Sequence, residues 1–178
     1  MKKILFVMAF VALTLGVMSQ NAKLPDNISL KTLEGQTVQS SVISNDGKPI
    51  IVSFWATWCK PCMRELNTIK EVYADWQDET GVKLVAISID DARSSSRVKP
   101  LVNAQSWDYE VYLDPNQDMK RAMNVVNVPH TFLINGKGEI VSQHTSFVEG
   151  AEEELFEQIK KITEDDKATA KDADADNK

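Results

Sequence analysis

The chain has 178 residues, 43% of them apolar and 26% charged. That is the makeup of one ordinary globular domain, and it excludes a wholly disordered or collagen-like chain. The net charge is −6. An acidic surface repels phosphate backbones, so nucleic acid is excluded as a general partner, and two cysteines, Cys59 and Cys62, are too few for a multi-bridge disulfide scaffold.

The chain opens on a positive pair, Lys2 and Lys3, followed by an almost unbroken apolar run from Ile4 to Met18. Small Ser19 then offers a cleavage site before Gln20. This is the grammar of a secretory signal peptide over residues 1–19. The run is short for a membrane-spanning helix, which needs about 20 residues. An uncleaved N-terminal anchor is the alternative. Cleavage would remove Lys2, Lys3 and no acid, so the mature charge falls to −8. Either way the domain is expected to work outside the cytoplasm, in a periplasmic or similar compartment where cysteines tend to be oxidised.

Residues 24–163 form the expected folded domain. Ile28 to Leu33 and Gln36 to Val38, around Glu34-Gly35, predict a small hairpin. Ile50 to Trp55 fits a buried strand. Pro61 to about Thr80 predicts a helix ended by Gly81. Val82 to Ile89 is a second buried strand. Ser94 to Gln105 is an expected helix, with Pro100 marking a kink or late start. Tyr109 to Leu113 alternates as a strand does, and Gln117 to Met123 fits a short helix. His130 to Ile134 and Glu139 to His144 are strands joined by a turn at Asn135 to Gly138. Ala151 to about Thr163 closes the domain as a helix with acidic residues in its first turn. Residues 164–178 carry no apolar side chain larger than Ala and are expected as a disordered acidic tail. Strands alternating with helices mean an α/β fold, a sheet covered on both faces.

The chemistry concentrates in Ser53-Phe-Trp-Ala-Thr-Trp-Cys59-Lys-Pro-Cys62-Met-Arg-Glu65. Two cysteines three apart sit where a buried strand gives way to a helix. Unpaired N–H groups and the positive end of the macrodipole stabilise a thiolate at Cys59. Lys60 adds positive charge nearby, and Pro61 suits the first turn. Cys62, one turn in, can attack a mixed disulfide formed on Cys59, which is the cycle of thiol–disulfide exchange. A stapling disulfide is the plain alternative, but so short a loop would contribute only about 2 kcal/mol. Zinc would need two more ligands, and His130 and His144, fourteen apart, do not have a finger spacing. No metal and no cofactor are expected.

At 100° per residue, with Cys62 at the origin, Leu66, Ile69, Tyr73, Trp76 and Val72 form one apolar stripe. Glu65 falls inside it, at about −60°. A carboxylate on a core-facing stripe is expensive unless paired or protonated. One turn from Cys62, Glu65 is expected to accept or relay that thiol's proton when Cys62 resolves the mixed disulfide. The plain alternative is an edge glutamate reaching water.

Three stretches, FWATWCKPCMREL, VKLVAISID and NVVNVPHTFLINGKGEIV, resemble the thioredoxin superfamily, and within it the TlpA/ResA-like extracytoplasmic members. The resemblance covers about residues 25–163. It implies a thioredoxin-like fold: a mixed central sheet flanked by helices, with an N-terminal hairpin and a helix–strand insertion over Ser94 to Leu113. It implies that Val128-Pro129 is the cis-proline site, beside the cysteine pair, where substrate is received in extended form. Trp58, Lys60, Pro61, Val128 and Pro129 are the implied substrate contacts, with Trp58 exposed and Trp55 in the core. Ser53 replaces the buried aspartate of cytoplasmic members, and Glu65 matches the glutamate thought to serve instead. His130 and His144 read as ordinary strand residues. The implied activity is a thiol–disulfide oxidoreductase reducing protein disulfides outside the cytoplasm, with service in cell redox homeostasis or cytochrome c biogenesis and a membrane thiol-reductant donor as partner. Two alternatives stay open on the same fold. A thiol peroxidase would want threonine three residues before the cysteine, where Ala56 stands, and a copper chaperone would use paired thiolates for Cu(I).

Overall fold

The computed structural model describes residues 22–175; the expected leader over residues 1–19 lies outside them. Its centre is a seven-stranded sheet in the order β2-β1-β5-β4-β3-β6-β7. The strands are β1 (Ser29–Thr32), β2 (Thr37–Gln39), β3 (Ile50–Trp55), β4 (Lys83–Ser88), β5 (Glu110–Leu113), β6 (His130–Ile134) and β7 (Ile140–Thr145). The helices are α1 (Lys60–Thr80), α2 (Val98–Gln105), α3 (Asp118–Ala122) and α4 (Ala151–Ala175). β3, β4 and β5 run parallel, while β6, β7 and the β1–β2 hairpin pair antiparallel. This is the mixed α/β arrangement expected from the sequence, hairpin and helix–strand insertion included.

β3 is buried at every position because it lies mid-sheet with structure on both faces. Its neighbours supply the core: Ile51, Val52, Phe54, Leu84, Val85, Ile87, Leu133 and Ile134 are all essentially inaccessible. Trp55 meets Trp107 edge to face, with ring centres 5.0 Å apart, an arrangement aromatic quadrupoles favour. α1 buries Cys62, Glu65, Leu66, Ile69, Tyr73 and Trp76, the stripe the helical period predicts. It stops at Gly81, which takes the left-handed conformation (φ 70°) that favours glycine and donates its N–H to the Gln77 carbonyl. Pro100 resolves as a late start. A 3-10 turn at Ser95–Arg97 leads into α2, and Pro100 lies in the first turn of that helix, where its missing N–H costs nothing.

One boundary differs. The closing helix does not end near Thr163 but continues to Ala175, into the stretch expected to be a disordered tail. Extending an existing helix avoids the cost of nucleation, and the alanines of this stretch favour it. A tertiary tie adds to this. The Asp166 carboxylate accepts the Gly136 N–H at 2.9 Å, from the turn between β6 and β7. Gly136 must be glycine there, since a Cβ would lie 1.9 Å from the Gly47 carbonyl oxygen.

Candidate active site

β3 and β6 are adjacent and antiparallel, with Phe54 opposite His130. The C-terminal end of β3 and the N-terminal end of β6 therefore open at one edge of the sheet. The first leads into Ala56–Cys59 and α1; the second is preceded by Val128-Pro129. The Val128-Pro129 peptide bond is cis. Pro129 is buried, Val128 half-buried against the core, and the Pro129 carbonyl accepts the Ser146 N–H at 3.1 Å. The topology thus brings the proline site and the cysteine pair to the same edge.

Cys59 caps α1. Its sulfur accepts the Cys62 N–H at 3.3 Å and is bonded to Cys62 Sγ across a Cα–Cα separation of 5.4 Å. The disulfide closes the first turn. No acidic residue stands in that turn, where Lys60 is exposed and Pro61 follows it. Cys59 keeps 4% exposure and Cys62 none, so of the two cysteines only the first retains any surface open to the outside. Trp58 beside it is 65% exposed, an unusual position for a large apolar ring. Trp55 lies fully in the core.

The turn ahead of Cys59 is anchored from β4. Asp90, wholly buried, accepts the Thr57 N–H at 2.8 Å, the Thr57 hydroxyl at 2.6 Å and the Ser88 hydroxyl at 2.8 Å. The Thr57 hydroxyl is thus committed to a carboxylate rather than turned toward a cysteine. With Ala56 at the position a thiol peroxidase would fill with threonine, the site lacks that hydroxyl. Asp90 escaped the sequence reading, although a polar residue just past the carboxyl end of a buried parallel strand lies where sites form in α/β sheets.

Glu65 is the second feature. It is 1% exposed and does not reach water, so the alternative of an edge glutamate fails. Its Oε1 accepts the Thr131 hydroxyl at 2.8 Å and lies 2.9 Å from His144 Nε2. Thr131 Oγ1 also meets Ser53 Oγ at 3.1 Å. Glu65 Oε2 is buried with no protein partner. Thr131 and His144 are direct partners across β6 and β7 and share one face of the sheet, the face α1 covers. Nearby Tyr109 reaches toward the Leu66 carbonyl at 3.5 Å. Burial above all, then the charges of Asp108 and Glu65, push its phenol well up, so it stays neutral. His144, expected as an ordinary strand residue, is thus in contact with the buried carboxyl group. His130 fits the plain reading: it stacks on Phe132 at 4.3 Å between ring centres and meets Gln143 through Nε2 at 3.0 Å.

Comparison with known proteins identifies the family. The model of the AhpC/TSA family matches residues 21–143. The thiol-disulfide oxidoreductase ResA of Bacillus thuringiensis is 32% identical over 144 residues, covering 81% of this chain and 79% of its own length. A solution structure of an uncharacterized thioredoxin-like protein from Porphyromonas gingivalis is 52% identical with a TM-score of 0.71, covering 82% of this chain and 94% of that one. StoA of Bacillus subtilis is 27% identical with a TM-score of 0.60, covering 80% of this chain and 99% of that one. A cysteine pair bonded across the first turn of α1, on this sheet and with these relatives, places the chain in the AhpC/TSA family of thioredoxin-like proteins as a thiol–disulfide oxidoreductase.

Proposed function

We propose that this oxidoreductase reduces protein disulfides outside the cytoplasm. The observation that carries the reading is the unequal exposure of the two bonded cysteines at the start of α1. In the reduced protein, Cys59 as thiolate attacks a substrate disulfide, and the first substrate sulfur leaves as a thiolate. Cys62 then attacks Cys59 Sγ in the mixed disulfide and the second substrate sulfur leaves. The substrate has gained two electrons, and the protein is left as the Cys59–Cys62 disulfide described here. A donor dithiol must return those electrons, and a membrane thiol carrier suits an exported domain. Trp58, Lys60, Pro61, Val128 and Pro129 receive the substrate strand on this reading. Glu65 takes the Cys62 proton through Oε2, its unpartnered oxygen. The substrates are cysteine pairs of exported proteins, those handled in cytochrome c maturation among them. The leader expected at the N-terminus and the resemblance to extracytoplasmic members support the compartment.

The reduction potential of the Cys59–Cys62 couple tests the direction. It is read by equilibrating the protein with thiol/disulfide buffers and following Trp fluorescence. A value near or below about −220 mV is expected, on a scale that runs from about −270 mV for thioredoxin to about −120 mV for a strong oxidant. A value above about −150 mV would make the protein a donor of disulfides and reverse the proposed electron flow.

A further inference from the structure

Glu65 has no route of its own to water. Its side chain is 2% exposed, it is roofed by Thr131, and it sits beside a small gap lined by Ile69, Phe147 and Leu155. A group so enclosed can take a proton only if something else carries it away. Thr131 passes on no net proton in its present bonds, since its hydroxyl lies between Ser53 and Glu65, both buried. The other partner is different. The His144 side chain is 34% exposed. Nε2 points at the carboxylate, and the residue also lines an open groove of about 560 Å³ on the protein surface.

We propose that His144 is the outer member of a proton relay that connects Cys62, through Glu65, with solvent. The proposal rests on the role given above to Glu65. The proton that Glu65 holds at Oε1, in its hydrogen bond to His144, passes to Nε2, and as the Cys62 S–H bond breaks during resolution its proton passes to Glu65 Oε2. The imidazole must then be neutral, with its proton on Nδ1 and a free lone pair on Nε2. Once Nε2 is protonated, the Nδ1 proton leaves to water. The Cys62 thiolate attacks Cys59 Sγ, the bond from Cys59 to substrate breaks, and the departing substrate thiolate recovers a proton from solvent. No external redox partner enters this step, and the charge on Glu65 is the same before and after it.

The titratable groups that face His144 are few. Glu65 approaches from α1 and Glu152 from the start of α4, while Lys23 and His130 line the groove beyond it. Of these only Glu65 is within hydrogen-bonding distance of the ring. His130 is occupied with Gln143. A partly exposed imidazole bonded to a buried carboxyl group one turn from the resolving cysteine is the arrangement a relay needs. A purely static partner would also hold Glu65, but it would not make the rate of resolution depend on proton carriers in the medium.

The experiment uses the full chain, reduced and mixed with oxidised glutathione. Acid quenching and mass spectrometry follow the mixed disulfide and its resolution over a range of pH. Wild type, His144→Gln, Glu65→Gln and the double variant are compared, each with and without added imidazole. His144→Gln keeps an amide that can donate to or accept from Glu65, so the buried carboxyl group is not orphaned. It is expected to slow resolution about tenfold, less than the roughly hundredfold that a primary acid–base group supplies. It should flatten the pH profile and regain rate as imidazole is raised, and the double variant should be no slower than Glu65→Gln. Wild-type resolution in His144→Gln beside a slow Glu65→Gln would overturn the relay and leave the role of Glu65 standing. A slow His144→Gln that imidazole does not help would overturn it equally, by showing a static contact. Wild-type rates in Glu65→Gln would remove the underlying role, and the relay with it.

Discussion

A Cys62→Ser variant is expected to stop with its substrate attached through Cys59. The two sulfurs are unequal before any chemistry begins. Cys59 sits at the capping position of α1, where the Cys62 N–H already points at its sulfur, and it alone has surface open to a partner. The same N–H and the aligned dipoles behind it stabilise the thiolate once the disulfide is reduced. Attack by Cys59 therefore needs the Cys62 backbone N–H, which serine keeps, and not the Cys62 sulfur. Resolution needs the sulfur, because a serine hydroxyl supplies no comparable nucleophile at neutral pH. Turnover of a protein disulfide should fall by more than about a thousandfold, as it does when a covalent nucleophile is removed. A stable adduct of protein and substrate should appear by mass spectrometry under non-reducing conditions and vanish with excess dithiol. Cys59→Ser should show equally little turnover and no adduct. If Cys59→Ser forms the adduct at a similar rate through Cys62, the attacking sulfur has been assigned to the wrong position.

The contrast between Glu65 and His144 shows how far the sequence reaches. Glu65 and Cys62 share one helix, so a single period puts them on one face, and the cost of burying a carboxylate marks the position as unusual. No period links Glu65 to His144. They meet only because β7 pairs with β6 in the register that sets His144 opposite Thr131, and because that face of the sheet meets α1. A one-residue slip would turn His144 to the other face. Register is a property of the assembled sheet, and a histidine in an alternating strand carries no local sign of it. The strand-to-helix step at Cys59 was legible for the opposite reason, since buried strand, cysteine pair, proline and helical stripe all follow one another directly. The run past Thr163 misled because absence of large apolar residues argues against burial, while helix continuation needs little burial once the preceding turns are formed.

Asp90 carries the last expectation, and it links stability to the site. Its carboxylate is fully buried and receives two donors from Thr57 and one from Ser88. Thr57 belongs to the turn in which the Cys59 N–H bonds the Ala56 carbonyl at 3.0 Å. β4 thereby grips the turn that aims Trp58 and Cys59 outward. In Asp90→Ala the three donors lose their acceptor inside the protein, and each buried donor without a partner costs about 1–3 kcal/mol. These penalties share one site and do not simply add, so a loss of about 3 kcal/mol in urea unfolding is expected. Asp90→Asn should lose nearly as much, because its amide nitrogen offers a donor where the turn needs an acceptor. Both variants should also lower the rate at which Cys59 in the folded, reduced protein reacts with a small disulfide, since the capping geometry at α1 depends on the same turn. Unchanged stability with lowered reactivity would mean that Asp90 acts on the thiol alone. Lowered stability with unchanged reactivity would mean that the first turn of α1 holds Cys59 in place without help from β4.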